Sequence, residues 1–166
     1  NGAKLAISNT EPITPESVAE VVRDHNVSIL FLTTGLFNLM VDERIDDLID
    51  VNYLISGGEV MSPTIAKKAV ERLPNTRVFN AYGPTENCVF STAFELTNRT
   101  NFDTSIPIGK ALNGTSMIIV NEELNIVDDG QIGELLLGGL GLASGYWNRE
   151  DVTKEMFIYL NRERFY

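Results

Sequence analysis

A short polar turn follows an apolar run in the middle of the chain, and its side chains are of the types that bind a nucleotide. Val78 and Phe79 have the β-prone character of a buried strand, and Tyr82-Gly83-Pro84-Thr85-Glu86 comes shortly after them. An aromatic ring can cover a base, a threonine hydroxyl can donate to a phosphate oxygen, and a carboxylate can hold the Mg²⁺ that a polyphosphate requires. The turn is therefore a candidate nucleotide site. A plain strand-ending turn with a core tyrosine and a solvated glutamate is the alternative.

Two longer stretches carry a family resemblance. Asn80-Ala81-Tyr82-Gly83-Pro84-Thr85-Glu86 resembles a core motif of the adenylation domains of nonribosomal peptide synthetases, in the adenylate-forming superfamily that also contains acyl-CoA synthetases and firefly luciferase. The run at 133–147 is similar to the next core motif of that family, in the right order and at about the expected separation. Pro84 favours the peptide-synthetase branch over an acyl-CoA synthetase-type carboxylate ligase, because the acyl-CoA branch more often carries methionine there.

The resemblance implies an ATP-dependent, amino-acid-adenylating ligase of the kind used in antibiotic biosynthesis. In that reaction an amino acid carboxylate joins to ATP, with Mg²⁺, and gives an aminoacyl adenylate and pyrophosphate. The acyl group then passes to the phosphopantetheine thiol of a peptidyl carrier protein. The expected partners are therefore the amino acid, the remainder of the adenylation domain and the carrier protein.

The same resemblance gives roles to individual residues. Asn80 would contact the adenine and Tyr82 would stack on it. Thr85 would meet the α-phosphate and Glu86 would ligate Mg²⁺, which makes these two the expected catalytic residues. Attack on the α-phosphate needs positioning and charge neutralisation more than a protein nucleophile, so the roles are physically consistent. The full set expected to bind the nucleotide is Gly57, Gly58, Glu59, Asn80, Ala81, Tyr82, Gly83 and Thr85.

The amino acid side chain would lie in an uncharged pocket. Burying a charged substrate group there without a partner would be costly, so a neutral, apolar amino acid is expected. Phe31 and Phe90 would narrow the cavity, which favours a branched aliphatic residue over tryptophan. Without the resemblance, ordinary core packing would explain each position. The expected pocket residues are Phe31, Ile55, Gly57, Ala81, Val89 and Phe90.

Two other hypotheses come from the same chain. Gly139-Leu140-Gly141 follows an apolar strand and loosely resembles the dinucleotide-binding loop of an oxidoreductase, but Ser144 stands at the third glycine position and no βαβ unit follows. The other hypothesis is a non-catalytic, substrate-selecting or folding subdomain. The resemblance implies that the phosphate-binding loop and substrate aspartate precede Asn1, and that the ribose aspartate and catalytic lysine follow Tyr166. The chain alone is therefore expected to be inactive.

Charge and composition exclude several classes of partner. The 166 residues include 13 Lys and Arg against 23 Asp and Glu, scattered along the chain, which argues against nucleic acid or an anionic membrane surface. No apolar run approaches membrane-spanning length, and the polar stretch Asn1-Gly2-Ala3-Lys4 is not expected to act as a signal peptide. Cys88 is the only cysteine, which is compatible with a reducing, cytoplasmic location; it is expected to be buried and not nucleophilic. His25 is expected at a helix C-terminus without a catalytic role.

Strands and helices that would position these residues alternate in the first half of the chain. The alternation predicts an α/β fold, a parallel sheet layer with flanking helices, whose ligands bind beyond the carboxyl ends of the strands. The continuous apolar run at 28–32 predicts a strand buried on both faces, and the acidic stretch at 42–50 a solvated connection. Strands are predicted at 3–8, 28–32, 53–56 and 78–79, and helices at 14–25, 36–40 and 63–72.

The pattern changes after the polar stretch at 97–101. The run at 88–94 could form one more strand, and later residues show hairpin signals. Residues 1–97 are expected to form a flavodoxin-like α/β subdomain, and 98–166 the start of a mostly antiparallel β-barrel subdomain, as the resemblance implies. The expected later elements are a hairpin from 117–120 and 126–127, a strand at 134–137 and a helix at 150–157.

Overall fold

Contacts divide the chain into two compact units in a computed structural model that describes residues 2–8 and 10–166. The first unit comprises Asn1–Ala81 and Phe94–Gly109, and the second comprises Tyr82–Ala93 and Lys110–Tyr166. The subdomain boundary expected at residue 97 stays a prediction.

The first unit is built on a parallel sheet, as the strand-helix alternation predicts. Strands β1, β2 and β3 pair in parallel, so that Phe31 lies opposite Ile55 and Ile55 opposite Phe79, and β4 follows β3 in the strand order. The strand expected at 3–8 does not form in the described part of the chain, where Leu5 and Ile7 are exposed. The elements are α1 Pro15–His25, β1 Ile29–Thr33, α2 Thr34–Glu43, a 3₁₀ helix Ile45–Leu48, β2 Tyr53–Gly57, α3 Pro63–Arg72, β3 Arg77–Tyr82 and β4 Thr92–Leu96.

Two helices begin at a capping residue followed by proline. Thr14 caps α1: its Oγ1 accepts from the Ser17 backbone N–H at 3.3 Å, and Ser17 Oγ accepts from the Thr14 N–H at 3.0 Å. Ser62 Oγ accepts from the Ile65 N–H at 3.5 Å at the start of α3. These bonds satisfy amide groups that a helix start leaves free, and the proline at the first helical position has no such group to satisfy.

Helices cover one face of this sheet, and β1 is exposed on the other face. Leu32, Leu54 and Val78 are buried among residues of the three helices. Side chains alternate along a strand, and on the opposite face Ile29 is 63% exposed and Phe31 is 44% exposed. The expectation that the strand at 28–32 is buried on both faces is therefore wrong for the described chain.

The acidic stretch after α2 is also more structured than expected. Its 3₁₀ helix buries Ile45 and Leu48, whose spacing of three residues matches one turn of such a helix. The acidic side chains do not enter the core, and Asp47 pairs with basic side chains: it accepts from Arg44 at 2.8 Å, and also from Arg23. The stretch is thus part of the core boundary and not simply a solvated connection.

The second unit is mostly antiparallel β structure, as predicted. Strands β6, β7, β9 and β8 form an antiparallel sheet in that order, with Val120, Leu136 and Phe165 in its core. The expected hairpin forms as a short pairing, in which Val120 bridges Ile126 and the Val127 N–H donates to the Ile119 carbonyl at 3.0 Å. Strand β6 also pairs along its whole length with β7. The elements are β5 Lys110–Ala111, β6 Thr115–Val120, β7 Glu134–Gly139, α4 Glu150–Met156, β8 Ile158–Leu160 and β9 Glu163–Phe165.

Two expectations about residues 88–94 need correction. The strand begins only at Thr92, since residues 88–91 form a turn in which the backbone φ of Cys88 is 64°. Cys88 is exposed and not buried. The first two residues of β4 pair with β5 in the second unit.

The helices among residues 2–8 and 10–166 are too short to span a membrane. The α-helices have 7 to 11 residues, and none is long and apolar enough to cross a bilayer.

Candidate active site

Four of the expected pocket residues share one face of the first unit's sheet. Phe31 lies opposite Ile55 in the register, and Gly57 lies opposite Ala81 two residues further along the strands. Because side chains alternate, all four belong to the face that the helices leave uncovered. Gly57 and Ala81 are buried, Ile55 is half-buried and Phe31 is exposed. The structure thus brings these four together on one sheet face, with Phe31 and Ile55 in the middle of β1 and β2 and with Gly57 and Ala81 at the carboxyl ends of β2 and β3.

The turn after β2 is held by a threonine that the sequence reasoning missed. Thr34, at the start of α2, is buried; its hydroxyl donates to the Glu59 carbonyl at 3.2 Å and accepts from the Glu59 N–H at 3.3 Å. Gly58, between Gly57 and Glu59, has a φ of 102°, which glycine adopts readily and other residues rarely do. The side chain of Thr34 therefore fixes the backbone that was expected to border the adenine.

Asn80 is held by a carbonyl that is distant in the sequence. Its side chain is buried, and its amide nitrogen donates to the Pro107 carbonyl at 2.8 Å. Asn80 and Ala81 are consecutive in β3 and lie on opposite faces of the strand. One donor of Asn80 is thus already used within the protein, which orients the amide; the sequence showed no signal for Pro107.

The turn from Tyr82 to Glu86, in the second unit, is tightly closed. The Ser91 N–H donates to the Tyr82 carbonyl at 2.8 Å, and the Asn87 N–H donates to the Pro84 carbonyl at 3.1 Å. A Cβ added to Gly83 would lie 2.7 Å from both Ser91 N and Val89 O. Only glycine fits at this position without a backbone shift. Tyr82 and Thr85 are exposed, so their side chains are accessible to a ligand.

Two tyrosines hold the carboxylate of Glu86. Glu86 is half-buried, and the Tyr146 hydroxyl donates to its Oε1. The side chain of Tyr166 also hydrogen-bonds to it. The bond from Tyr146, more than that from Tyr166, holds the pKa of Glu86 below its ordinary value, and the same bond raises the pKa of Tyr146. Glu86 is therefore an ionised, oriented carboxylate at neutral pH.

The loop that carries Tyr146 is anchored on three sides. The Ala143 N–H donates to the Glu86 carbonyl at 2.7 Å. The Arg164 guanidinium donates to the carbonyl of Ala143 at 2.7 Å, and the Tyr146 N–H donates to Thr153 Oγ1 at 2.9 Å. The glycine-rich run thus joins the Glu86 turn to β7 and α4, and no helix follows it until Glu150. It lacks the helix that a dinucleotide-binding loop would open.

Asn87 also connects the Glu86 turn to the glycine-rich run, through buried hydrogen bonds within the second unit. It is 1% exposed, and its amide nitrogen donates to Ser91 Oγ at 3.1 Å and to the Gly138 carbonyl at 3.5 Å. A Cβ on Gly141 would lie 2.9 Å from Asn87 Oδ1. Asn87 was missed in the sequence because it follows the recognised motif, and Gly141 is required for close packing against it.

Glu86 is the residue of this turn that fits a magnesium ion. Among residues 2–8 and 10–166 no three His, Cys, Asp or Glu side chains are grouped so that they could hold a metal by themselves. Mg²⁺ commonly takes one or two carboxylates and completes its shell with water and substrate phosphates. A single oriented carboxylate beside the exposed Thr85 fits that coordination. Val89 and Phe90 lie in the following turn, and their place in the pocket stays a prediction.

Comparison with known proteins decides the family. A model of the AMP-binding enzyme family matches residues 1–147. The chain belongs to this family. Among curated relatives of this AMP-binding enzyme chain, malpibaldin synthetase of Mortierella alpina is 36% identical over 161 residues, 95% of this chain and 3% of the relative. Bacitracin synthase 1 of Bacillus licheniformis is 35% identical over 170 residues, 100% of this chain and 3% of the relative.

Solved structures give the same result. An NRPS protein containing adenylation and PCP domains, bound to a vinylsulfonamide inhibitor, matches with a TM-score of 0.88 and 31% identity over 96% of this chain and 28% of its own. Klebsiella oxytoca NpsA in complex with 3-hydroxyanthranilyl-AMSN matches with a TM-score of 0.87 and 28% identity over 96% of this chain and 34% of its own. These matches confirm the resemblance to peptide-synthetase adenylation domains. The AMP-binding enzyme chain spans a small part of the curated relatives and about a third of the solved chains.

Proposed function

We propose that this chain forms part of an amino-acid-activating adenylation domain of a nonribosomal peptide synthetase. The observation that carries the proposal is the ionised carboxylate of Glu86, which is oriented by Tyr146 and directly follows the exposed Thr85 in the sequence. Membership of the AMP-binding enzyme family supports the use of ATP. An acyl-CoA synthetase-type carboxylate ligase is the second candidate, because the same superfamily contains it.

The proposed roles of the individual residues are those that the motif resemblance implies. Tyr82 is exposed and would stack on the adenine, while Asn80, oriented by Pro107, would contact the base edge. Thr85 would donate its hydroxyl to an α-phosphate oxygen. Mg²⁺, when bound by Glu86, would neutralise charge on the phosphates. The residues of this chain would thus bind and orient the nucleotide and hold the metal ion, and none would act as a nucleophile.

The proposed step needs no covalent bond to the protein. The carboxylate oxygen of the amino acid attacks the α-phosphorus of ATP, the new carboxyl–phosphorus bond forms, and the bond to the bridging oxygen breaks so that pyrophosphate leaves. Positioning and electrostatic stabilisation supply the acceleration in such reactions. The acyl group would next pass to a phosphopantetheine thiol on a peptidyl carrier protein.

The proposed substrate is a neutral, apolar amino acid. The uncovered sheet face offers Phe31, Ile55, Gly57 and Ala81, none of which is charged. An unpaired charged side chain in such a site would lose its hydration without compensation. We further propose a cytoplasmic location. We also propose that the 166 residues alone form no adenylate, because the chain spans only 28% to 34% of the solved adenylation proteins compared above.

Amino-acid-dependent exchange of labelled pyrophosphate into ATP tests the proposal. The intact protein is assayed with each common amino acid in turn, and with a panel of carboxylic acids without an amino group. The expected result is exchange driven best by valine, leucine or isoleucine. Preference for lysine, arginine, aspartate or glutamate would overturn the substrate proposal. Exchange driven only by acids without an amino group, with transfer to coenzyme A, would support the second candidate instead.

The inactivity proposed for the chain alone has its own assay. The purified 166-residue chain is incubated with ATP, Mg²⁺, the preferred amino acid and hydroxylamine, and hydroxamate is measured. No product above that of a Glu86→Gln control is expected. Hydroxamate well above the control would show that the chain suffices for the reaction.

A further inference from the structure

The Glu86 carboxylate is held by a residue of the second motif, 60 positions along the chain. We propose that Tyr146 is a positioning residue: its hydroxyl fixes the Glu86 carboxylate in the orientation from which the carboxylate takes up Mg²⁺. The proposal rests on the function proposed above and adds a residue to it. It assigns a function to the hydrogen bond between Tyr146 of the second motif and Glu86 of the first.

The position of the Tyr146 ring is fixed by aromatic packing. The ring meets Phe157 edge-on, with centroids 5.8 Å apart and planes at 67°. Phe157 is 5% exposed, lies 5.3 Å from the Tyr166 ring, and has the Arg164 guanidinium 4.3 Å from its centroid. Such contacts restrict the ring's rotamers, so its hydroxyl is presented from one place.

Glu86 is held at both its backbone and its side chain by the same loop. Ala143 donates to its carbonyl, and Tyr146, three residues later, donates to its carboxylate. The loop between them is fixed by Arg164, which donates to the carbonyls of Ala143 and Ser144 at 2.7 and 2.9 Å. The side chain of Glu86 therefore cannot rotate away without breaking a bond to a rigid support.

A carboxylate held in this way still has capacity for a metal. Ionised carboxylates have about four acceptor positions, and the bonds from Tyr146 and Tyr166 use two of them. Mg²⁺ demands near-ideal octahedral geometry, so a pre-oriented oxygen is worth more to it than a mobile one. Residues that orient a metal ligand typically change metal affinity or activity by about 10–100-fold when removed.

The test is Tyr146→Phe in the intact protein, a change that keeps the ring and removes only the hydroxyl. Pyrophosphate exchange is measured against Mg²⁺ concentration and against amino acid concentration. The KM for Mg²⁺ should rise about 10-fold or more, while the KM for the amino acid changes little. Tyr159→Phe is the matched control, because Tyr159 is 74% exposed on β8, and it should behave as wild type.

A second readout does not depend on turnover. Binding of Mn²⁺ to the protein with a non-hydrolysable ATP analogue is followed by the loss of the free-ion electron paramagnetic resonance signal. The dissociation constant should rise about 10-fold in Tyr146→Phe and stay unchanged in Tyr159→Phe.

The outcomes separate this inference from the function on which it rests. Wild-type protein that shows no exchange with any carboxylic acid refutes the proposed function. Wild-type exchange combined with an unchanged Mg²⁺ KM and Mn²⁺ affinity in Tyr146→Phe overturns the positioning role alone. Loss of the fold in Tyr146→Phe, measured by thermal unfolding, also contradicts the proposal, which assigns the packing to the ring and only the orientation of Glu86 to the hydroxyl.

Discussion

Replacing Gly83 by alanine should destabilise the second unit far more than a glycine-to-alanine change elsewhere. The added Cβ would lie 2.7 Å from Ser91 N, 2.7 Å from Val89 O and 2.8 Å from Phe90 Cα, all of them backbone atoms. Ordinary contact begins at 3.4 Å, so the two segments must separate by roughly 0.7 Å in a tightly packed turn.

The magnitude follows from two terms. Forcing an extra carbon into a filled space costs about 1–3 kcal/mol. The separation also weakens the bond from the Ser91 N–H to the Tyr82 carbonyl, now 2.8 Å, which contributes about 0.5–1.5 kcal/mol. The free energy of unfolding should therefore fall by about 2–4 kcal/mol.

Urea unfolding of the 166-residue chain, followed by far-UV circular dichroism, measures the change. Gly35→Ala is the control, because Gly35 lies in α2 and its Cβ would meet nothing within 4 Å. Alanine is favoured in helices, so the control should be neutral or more stable by up to about 1 kcal/mol. A loss of less than about 0.5 kcal/mol for Gly83→Ala would show that the turn tolerates a side chain, and would refute the close packing described above.

Two further substitutions test other parts of the account. Glu95→Gln removes a two-point ion pair in which Arg77 donates at 2.7 and 2.8 Å and lowers the pKa of Glu95. A lowered carboxylate pKa stabilises the fold above the unfolded-state pKa, so the loss of stability should be at most about 1 kcal/mol at pH 7 and should vanish in acid, below the lowered pKa at which the wild-type carboxyl protonates. Urea unfolding at neutral and at acid pH checks this, and an equal loss at both would contradict it. Phe31→Ala in the intact protein should shift substrate preference toward larger apolar amino acids by about 1–3 kcal/mol; an unchanged profile in a competition assay would remove Phe31 from the pocket.

Local signals in the sequence were sufficient for most of the secondary structure. Thr14 and Ser62, each before a proline, marked the starts of α1 and α3 because capping depends only on nearby residues. The run at 28–32 was recognised as a strand, but its one-sided burial was not, since an apolar run does not say how many layers cover it. The same limit hid the 3₁₀ helix of Ile45–Leu48 behind its acidic side chains.

The contacts that orient the candidate site could not be predicted from the sequence, because they join residues that are distant along the chain. The motif resemblance pointed to Glu86, but not to the hydroxyl of Tyr146 that holds it. Thr34 reaches the Glu59 backbone across 25 positions, and Asn80 reaches Pro107 across 27. Each of these partners is a polar group whose role depends on the folded arrangement, which no local periodicity encodes.

Pyrophosphate exchange at limiting Mg²⁺ in Glu86→Gln tests the proposed magnesium role of Glu86 most directly. The intact protein is compared with Glu123→Gln, in which the changed carboxylate lies in the exposed turn after β6. Glutamine keeps the size of the side chain and removes its charge, so the fold should persist while the Mg²⁺ dependence shifts to higher concentration. We expect exchange to fall by at least about 10-fold at limiting Mg²⁺ and to remain normal in the control. Equal exchange in wild type and Glu86→Gln would show that Glu86 is a surface carboxylate without a role in the metal site.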